Sequence, residues 1–208
     1  MTSDPLKRGR NAAATREAIL HSALAAFSRH GYDGIGCREI AQGAGVTGVL
    51  VNRYFGSKEE LFSAAVELAF RDNSLFTGDP TLLAQRLATR VVTKSEKGAE
   101  PADVLLLLLR SAPNPRAADI LRDSLARHFE RPLKALLQGP RASERAAMIF
   151  ALATGFAFYR RVIGTKALAD ASGASLFDDL AAMFQSLIDG PAARSPPVRR
   201  SRVKNGDS

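Results

Sequence analysis

A run of basic and hydrogen-bonding side chains between residues 38 and 58 offers the chemistry of nucleic-acid binding. The candidates are Arg38, Thr47, Asn52, Arg53, Tyr54 and Lys58, with Gly48 and Val49 between them. Arginine, lysine and tyrosine can donate to phosphate oxygens, and asparagine can bond a phosphate or an adenine edge. Arg38 and Lys58 stand at predicted helix starts, where a cation is unfavourable for the helix dipole unless it meets an anion. We therefore predict phosphate contacts for Arg38 and Lys58, and the other six residues are candidates for DNA contact.

Two short helices position these side chains. The sequence predicts helices over residues 38–44 and 49–55, joined by the tight turn Ala44-Gly45-Val46. This is the layout of a helix-turn-helix, whose second helix enters the major groove of DNA. Four apolar residues are expected to form its small core: Ile40, Ala41, Val46 and Val51. The hydroxyl of Thr47 is expected to cap the second helix.

Longer helices flank this pair on both sides. From Ala12, apolar residues recur at helical spacing up to Gly31, which is expected to end the helix. After Gly56, Ser57 and Glu60 form a capping-box pattern that predicts a helix from Lys58 to about Asp72. The basic segment 1–11 before these helices is predicted to be a flexible arm.

Residues 15–61 resemble the TetR family of bacterial transcriptional regulators. The positions that carry the resemblance are Thr15, Ile19, Ala23, Phe27, Gly31, Tyr32, Ile40, Ala41, Ala44-Gly45-Val46-Thr47, Tyr54, Phe55, Ser57-Lys58-Glu59 and Leu61. The resemblance implies an all-helical homodimer whose N-terminal head binds a palindromic operator in double-stranded DNA. It also implies a C-terminal body that binds a small-molecule effector, usually to release the DNA.

The segment departs from the family pattern at the second and third helices. Ile35 and Gly36 stand where the family often has a threonine or serine cap. Val49 and Asn52 replace a frequent glycine and a tyrosine that typically touches a phosphate. The resulting apolar start of the third helix suggests contacts to thymine methyl groups, or specificity drawn partly from DNA shape.

The remainder of the chain is also predicted to be helical. Pro80, Pro101, Pro115 and Pro140 fall at plausible helix starts. They divide the chain into helices near 81–94, 102–111, 116–138, 141–164 and 174–189, which gives about nine helices in all. We expect an all-α fold with a flexible arm (1–11), a DNA-binding domain (12–74), a ligand-binding and dimerisation domain (75–189) and a disordered basic tail (190–208).

Given the family resemblance, two apolar stripes in the body are expected to form the dimer surface, and an apolar run is expected to line the effector pocket. The proposed dimer residues are Ile149, Leu152, Phe156, Tyr159, Ile163, Phe177, Leu180, Phe184 and Leu187. They recur every three or four residues, as in four-helix bundles, although the same stripes could face the protomer's own core. The proposed pocket residues are Leu105, Leu109, Phe129, Phe150 and Phe156. A pocket of this composition favours an apolar effector.

Composition narrows the classes of function. The 208 residues carry a net charge of +8, half of it within residues 190–208, and contain a single cysteine, Cys37. No apolar run approaches the ~20 residues of a membrane span, no catalytic motif stands out, and no metal site or cofactor is predicted. We expect a cytoplasmic, non-enzymatic regulator, most simply a repressor. The alternative is a ligand-binding helical dimer whose DNA head is degenerate or non-specific.

Overall fold

Eleven α-helices build the part of the chain that the structure describes. The computed structural model covers residues 5–72, 74–95 and 103–190, with side chains from Ala12 onward. The helices are α1 (Pro5–His30), α2 (Cys37–Gly43), α3 (Gly48–Phe55), α4 (Lys58–Ala69), α5 (Leu83–Lys94), α6 (Val104–Ser111), α7 (Pro115–Leu125), α8 (Arg131–Leu136), α9 (Ala142–Ala157), α10 (Lys166–Ala169) and α11 (Gly173–Asp189). Two 3-10 turns, Ser74–Phe76 and Pro80–Leu82, precede α5. Two π-helical segments, Ala126–Glu130 and Phe158–Ile163, extend α7 and α9.

The prediction of an all-α fold is confirmed. The π-helical segment Ala126–Glu130 joins α7 to α8 in one continuous rod, so the nine predicted helices are all present and α10 is additional. The predicted arm is partly wrong, because α1 begins at Pro5 and residues 5–11 continue the helix. Residues 1–4, Pro101 and the tail beyond Gly190 lie outside the described residues.

The head, which we define as α1 to α4, has an aromatic core. The predicted apolar face of α1 is buried, and its Phe27 ring packs edge-on against Phe62 of α4 with 5.0 Å between centroids. Tyr32 meets the same Phe62 ring at 5.0 Å. Two helices from outside the head complete this core, with Leu107 from α6 and Leu121 from α7. The core of the head is therefore completed by α6 and α7 and is not formed by α1 to α4 alone.

The body, which we define as α5 to α11, has a second core of its own. α5 packs along α11, and α9 packs against both. The fully buried side chains at their centre include Leu83, Leu133, Ile149 and Phe184. Because α6 and α7 contribute to the first core while α8 contributes to the second, the α7–α8 rod connects the two.

The ends of α3 and α4 show different capping. Ser57 caps α4, since its Oγ accepts from the backbone N–H of Glu60 at 3.1 Å and the Glu60 carboxylate accepts from the N–H of Ser57 at 2.9 Å. The predicted capping box is confirmed. Thr47 stands at the N-cap of α3, but its side chain makes no capping hydrogen bond, so that prediction was wrong. The Thr47 hydroxyl is exposed instead.

This difference gives a matched pair of variants. Ser57→Ala is expected to lower the free energy of unfolding by about 1 kcal/mol, because it removes the hydroxyl that satisfies an orphan N–H of α4. Thr47→Ala should cost clearly less, since no capping bond is lost. Urea titration followed by circular dichroism measures both, and equal losses would contradict the assignment.

Candidate nucleic-acid interface

The α2–α3 unit is held by a compact turn. Gly45 adopts a φ of +67°, the left-handed conformation that glycine accepts most readily. The N–H of Val46 donates to the carbonyl oxygen of Ala41 at 2.9 Å, which folds the turn back on α2. Ile40 and Val51 are each 1% exposed between the two helices. The core predicted for this unit is therefore present, and it fixes the orientation of α3.

One face of α3 is turned away from that core. Thr47, Val49, Asn52 and Arg53 are exposed, Gly48 and Tyr54 are half-buried, and Val51 and Phe55 are buried. Tyr54 packs against the head core, so only part of its ring is available to a ligand. The structure thus gathers most of the predicted contact residues of this helix on one surface.

Basic side chains border this surface. Arg38 lies beside the start of α3, since a Cβ added at Gly48 would lie 3.5 Å from its Cγ. Lys58 stacks over the Tyr32 ring, with Nζ 4.6 Å from the centroid. Within the described part of the chain, Arg38, Arg53 and Lys58 form no ion pair with a carboxylate. The surface therefore carries positive charge that an anion can meet.

Sequence reasoning missed one cation at this surface. The guanidinium of Arg16, on α1, lies over the Phe55 ring with Cζ 4.7 Å from the centroid. This contact joins residues 39 positions apart, so no local pattern could indicate it. Arg16 is exposed and adds a fourth cation beside α3.

Tyr32 connects this surface to the body through an acidic neighbour. Burial raises the pKa of Tyr32 to about 12, and its hydrogen bond with the Glu59 carboxylate adds to the shift. A hydrogen bond that the Glu59 carboxylate accepts from the backbone lowers its pKa, and its hydrogen bonds with Tyr32 and Arg116 lower the pKa further. Arg116 of α7 approaches Glu59 Oε1 at 3.1 Å. Tyr32, whose ring lies beneath Lys58, is thus linked through Glu59 to Arg116 of the body.

A second junction contact lies at the end of α1. The guanidinium of Arg110 donates to the carbonyl oxygens of Ser28 and Arg29, the first at 3.0 Å. Gly31 follows with a φ of +74°, and its backbone lies against the carbonyl group of Arg110. The C-terminal ends of α1 and α6 are therefore in direct backbone contact.

Glu67 of α4 anchors a third junction contact. Its Oε1 accepts from Ser124 Oγ at 2.9 Å and from Arg127 Nη2 at 2.7 Å, and its Oε2 lies 2.6 Å from His128 Nε2. Burial alone would raise the pKa of Glu67, but the hydrogen bonds from His128 and Ser124 and the nearby positive charges lower it overall. The last helix of the head is thus tied to the π-helical turn of the α7–α8 rod.

This contact predicts a pH dependence of stability. Since the pKa of Glu67 is lower in the folded protein than its ordinary value of 4.5, its contribution is complete above that value. It is lost as the pH falls through the folded pKa. We expect the difference in unfolding free energy between the parent protein and Glu67→Gln to shrink on acidification. Urea titrations at several pH values measure it, with Asp178→Asn, an exposed acid on α11, as the control. A difference independent of pH would contradict the assignment.

The predicted dimer stripe faces mostly inward. Ile149 and Phe184 are 0% exposed and Leu180 is 2% exposed, so they belong to the protomer's own core. The prediction that these three residues form the dimer surface was wrong. Four more predicted dimer residues are half-buried against the same core: Leu152, Phe156, Phe177 and Leu187. They face inward because α5, α9 and α11 pack against one another on this side. Three-to-four spacing identifies an apolar stripe but does not indicate what covers it. Tyr159 and Ile163, each 55% exposed, remain available.

An exposed apolar band lies on the neighbouring faces of the same helices. We define this band as Met148, Tyr159, Val162 and Ile163 of α9 and its π-helical extension, with Met183 of α11; all are between 41% and 55% exposed. Residues Ala142–Ile163 form a helix apolar enough, by length and composition alone, to span a membrane (mean hydropathy 1.4), yet only 11% of its most apolar window is buried. An apolar helix this exposed needs a covering surface.

The predicted pocket residues do not share one location. Phe129 and Phe150 touch edge-on at 4.8 Å, and Phe76 joins Phe129 at 5.5 Å. Phe156 packs on the body core and Leu105 is buried on α6. Leu109, near the end of α6, is 39% exposed, so the fold does not enclose it as a pocket residue. Of the predicted pocket residues, the fold brings together only Phe129 and Phe150, and Phe76, which was not predicted, joins them.

A shallow cavity of about 250 Å³ lies elsewhere, between the start of α9 and the end of α11. Its buried Arg145 donates to the carbonyl oxygens of Pro140, Leu187 and Ile188. The bonds to Leu187 and Ile188 satisfy C-terminal carbonyls of α11, so the guanidinium stabilises the fold. None of the five predicted pocket residues lines this cavity.

Comparison with known families matches both halves of the chain. Residues 19–65 match the family described as "Bacterial regulatory proteins, tetR family", and residues 82–188 match "Tetracyclin repressor-like, C-terminal domain". A curated relative, the HTH-type transcriptional regulatory protein RaaS of Mycobacterium tuberculosis, is 37% identical over 76 residues. That match covers 34% of this chain and 35% of the relative, so the chain spans about a third of the relative's length.

Solved structures share the fold at low sequence identity. A TetR-family regulator from Streptomyces coelicolor A3 is 24% identical, with a TM-score of 0.54 over 85% of this chain and 95% of that chain. Salmonella enterica GusR is 20% identical, with a TM-score of 0.66 over 84% and 95%. The reduced form of E. coli NemR is 17% identical, with a TM-score of 0.65 over 85% and 99%.

Proposed function

This chain belongs to the TetR family of transcriptional regulators, which bind DNA through a helix-turn-helix, and on that premise we propose that it is a repressor. It binds a palindromic operator as a homodimer and leaves it when a small apolar effector binds the body. The observation that carries the proposal is the exposed face of α3, where Val49, Asn52 and Arg53 project from the α2–α3 unit. The neighbouring Arg38 and Lys58 form no ion pair with a carboxylate of the described residues.

The surface divides into phosphate and base contacts. Arg38, Arg53 and Lys58 supply charge to the backbone, which gives affinity and fixes the register of α3 on the duplex. Gly48, Val49 and Asn52 lie in the first turns of α3, which face base edges when such a helix enters the major groove. The exposed hydroxyl of Thr47 and the accessible part of Tyr54 serve as further phosphate donors.

The exposed apolar band is the proposed dimer surface. Met148 of α9 and Ser186 of α11 border the same cavity, so the outer faces of the two helices lie side by side. Two copies of this surface form an isologous four-helix bundle, which buries the apolar band and gives the two-fold symmetry that a palindrome requires. Of the stripe predicted from sequence, Tyr159 and Ile163 belong to this surface.

The aromatic group of Phe76, Phe129 and Phe150 is the proposed effector site. Phe129 follows directly after His128, which holds Glu67 of the last head helix. An apolar effector that displaces the Phe129 ring changes the π-helical turn and with it the Glu67 contact. Such a change alters the orientation of α4, and therefore the spacing of the two heads in the dimer.

Selection of bound duplexes from a random DNA pool tests the central proposal. We expect a palindrome whose half-sites lie about 34–36 Å apart, one helical turn of DNA, or a multiple of that spacing. A matched experiment uses Asn52→Ala with Arg53→Ala, which should enrich no motif. If the parent protein enriches no motif and its binding vanishes as salt rises, the operator proposal fails. The chain is then a ligand-binding dimer with a silent head.

Lys58→Ala gives a specific prediction for operator binding. Losing one phosphate contact in each protomer should weaken binding roughly tenfold, and should reduce the slope of log affinity against log salt by about two. The exposed Lys134 of α8 provides the control, because Lys134→Ala removes a charge from the body instead of the interface. Binding titrations over a series of salt concentrations measure the slope for the parent protein and for each variant. If Lys58→Ala has the same slope as the parent protein, Lys58 does not contact a phosphate.

A further inference from the structure

Val49 stands out among the exposed apolar residues of the described chain. Its side chain is 76% exposed, whereas the next most exposed large apolar side chains, Tyr159 and Ile163, reach 55%. It is the second residue of α3 and contributes nothing to the α2–α3 core. Exposing this branched apolar side chain gives the isolated head no stability, whereas a ligand that covers it would gain the free energy of its burial.

Asn52 is the polar neighbour of Val49 on the same face. The two are three residues apart, so their side chains lie one above the other along α3, about 4.5 Å apart along the axis. Both are exposed, and Gly48 before them has no side chain to crowd the approach of a base pair. The face therefore presents one isopropyl group and one carboxamide at nearly the spacing of stacked bases, about 3.4 Å.

The major groove offers one apolar group, the C5-methyl of thymine. Opposite any other base edge, Val49 would cover a donor or acceptor without replacing its lost hydrogen bond, at a cost in affinity. The carboxamide of asparagine matches adenine, which offers the N6 amino group as donor and N7 as acceptor. The two side chains therefore fit neighbouring base pairs of the A·T type.

We propose that Val49 reads a thymine methyl group and Asn52 reads an adenine in the adjacent base pair of each operator half-site. This inference rests on the proposed function, because it requires a specific operator. It adds the chemical identity of two base pairs and assigns the apolar start of α3 to specificity. The contact is apolar, so it should persist at salt concentrations that weaken the phosphate contacts.

Base analogues in the selected operator test the first contact. Each thymine is replaced in turn by deoxyuridine, which lacks only the methyl group. At one position in each half-site we expect about a fourfold loss of affinity per methyl, and about fifteenfold when both half-sites are changed. Val49→Ala should bind thymine and deoxyuridine duplexes within twofold of each other. Thr89→Ala, an exposed change on α5, should keep the full discrimination.

A gain-of-contact duplex excludes a general effect of deoxyuridine on DNA shape. Replacing the same thymine by cytosine should weaken binding, and 5-methylcytosine at that position should recover about fourfold for each methyl restored. Val49→Ala should show no recovery. For the second contact, replacing the neighbouring adenine by 7-deazaadenine should lower the affinity of the parent protein for the duplex about fivefold. The affinity of Asn52→Ala should change by less than about twofold.

The possible outcomes distinguish failure of the two base contacts from failure of operator binding itself. A motif in which one deoxyuridine position depends on Val49 and the adjacent 7-deazaadenine position depends on Asn52 supports the inference. A recovered motif without an A·T pair at the α3 contact, or one in which every deoxyuridine changes affinity less than twofold, overturns it and leaves the regulator intact. Failure to recover any motif is instead the failure of the proposed operator binding.

Discussion

Replacing Met183 by glutamate should yield a monomer that binds the operator at least a hundredfold more weakly. Met183 is 53% exposed in the apolar band, so the protomer itself tolerates the change. In the dimer the same carboxylate would be buried without a partner, a cost that a homodimer meets twice. A single head makes half the contacts with a palindrome, and the loss of the second half-site accounts for the expected fall in affinity.

Two measurements separate this result from misfolding. Sedimentation velocity should show one species of half the parent mass, while the circular dichroism spectrum remains helical. Gln85→Glu introduces the same charge on an exposed position of α5, away from the band, and should leave the mass unchanged. If Met183→Glu remains dimeric, the band is not the dimer surface, and its exposed side chains require a different partner.

Gly31→Ala is expected to lower the free energy of unfolding by about 3 kcal/mol, the sum of a strained left-handed backbone and steric overlap. The φ at this position is +74°, and an added Cβ would lie 2.9 Å from the carbonyl carbon of Arg110 and nearer still to its oxygen. Neither group can yield without separating α1 from α6. The same displacement would move the Arg110 guanidinium from the end of α1.

Gly45→Ala isolates the conformational part of that cost. Gly45 has a similar φ of +67°, but no atom of the described residues lies within 4 Å of an added Cβ. We expect a loss of about 1 kcal/mol for this variant, since only the left-handed conformation is penalised. Urea titrations of the two variants measure the difference. Equal losses would show that the contact with Arg110 is unimportant for stability.

The head was predicted closely from sequence because its signals are local. Gly31 was expected to end the first helix and Gly45 to form the turn between the next two, and both have a positive φ at those places. Ser57 with Glu60 forms the expected capping box. Each of these features depends on residues within a few positions of one another. Thr47 is the exception, since its sequence context allowed a cap and only the three-dimensional structure shows that the hydroxyl is free of one.

The body shows the limit of periodicity. Ile149 and Phe184 recur at helical spacing and were assigned to a dimer surface, but both are fully buried in the protomer. Met148 and Met183, each next to one of those residues in sequence, belong to the exposed band instead. A helix with apolar residues on two faces can pack through either face. Only the packing of α5, α9 and α11 in the folded protein decides which face stays exposed.

The polar contacts at the head–body junction could not be anticipated either. Glu67 meets His128 across 61 positions, and Arg110 meets the end of α1 across 81 or more. Charged residues at such separations carry no pattern of their own. Their partners follow from how α4, α6 and α7 pack, which in turn depends on the apolar cores on either side.

The sharing of the head core with α6 and α7 limits how this regulator can be recombined. Leu107, Ala117 and Leu121 complete a core whose other members lie within α1 to α4. A chimera that joins this head to the body of a relative replaces those three side chains together with the effector-binding body. Unless the new α6 and α7 match the shape of Phe27 and Phe62, the chimera has a cavity in the core of its DNA-binding head. A functional chimera must therefore keep α6 and α7 of this protein together with its head.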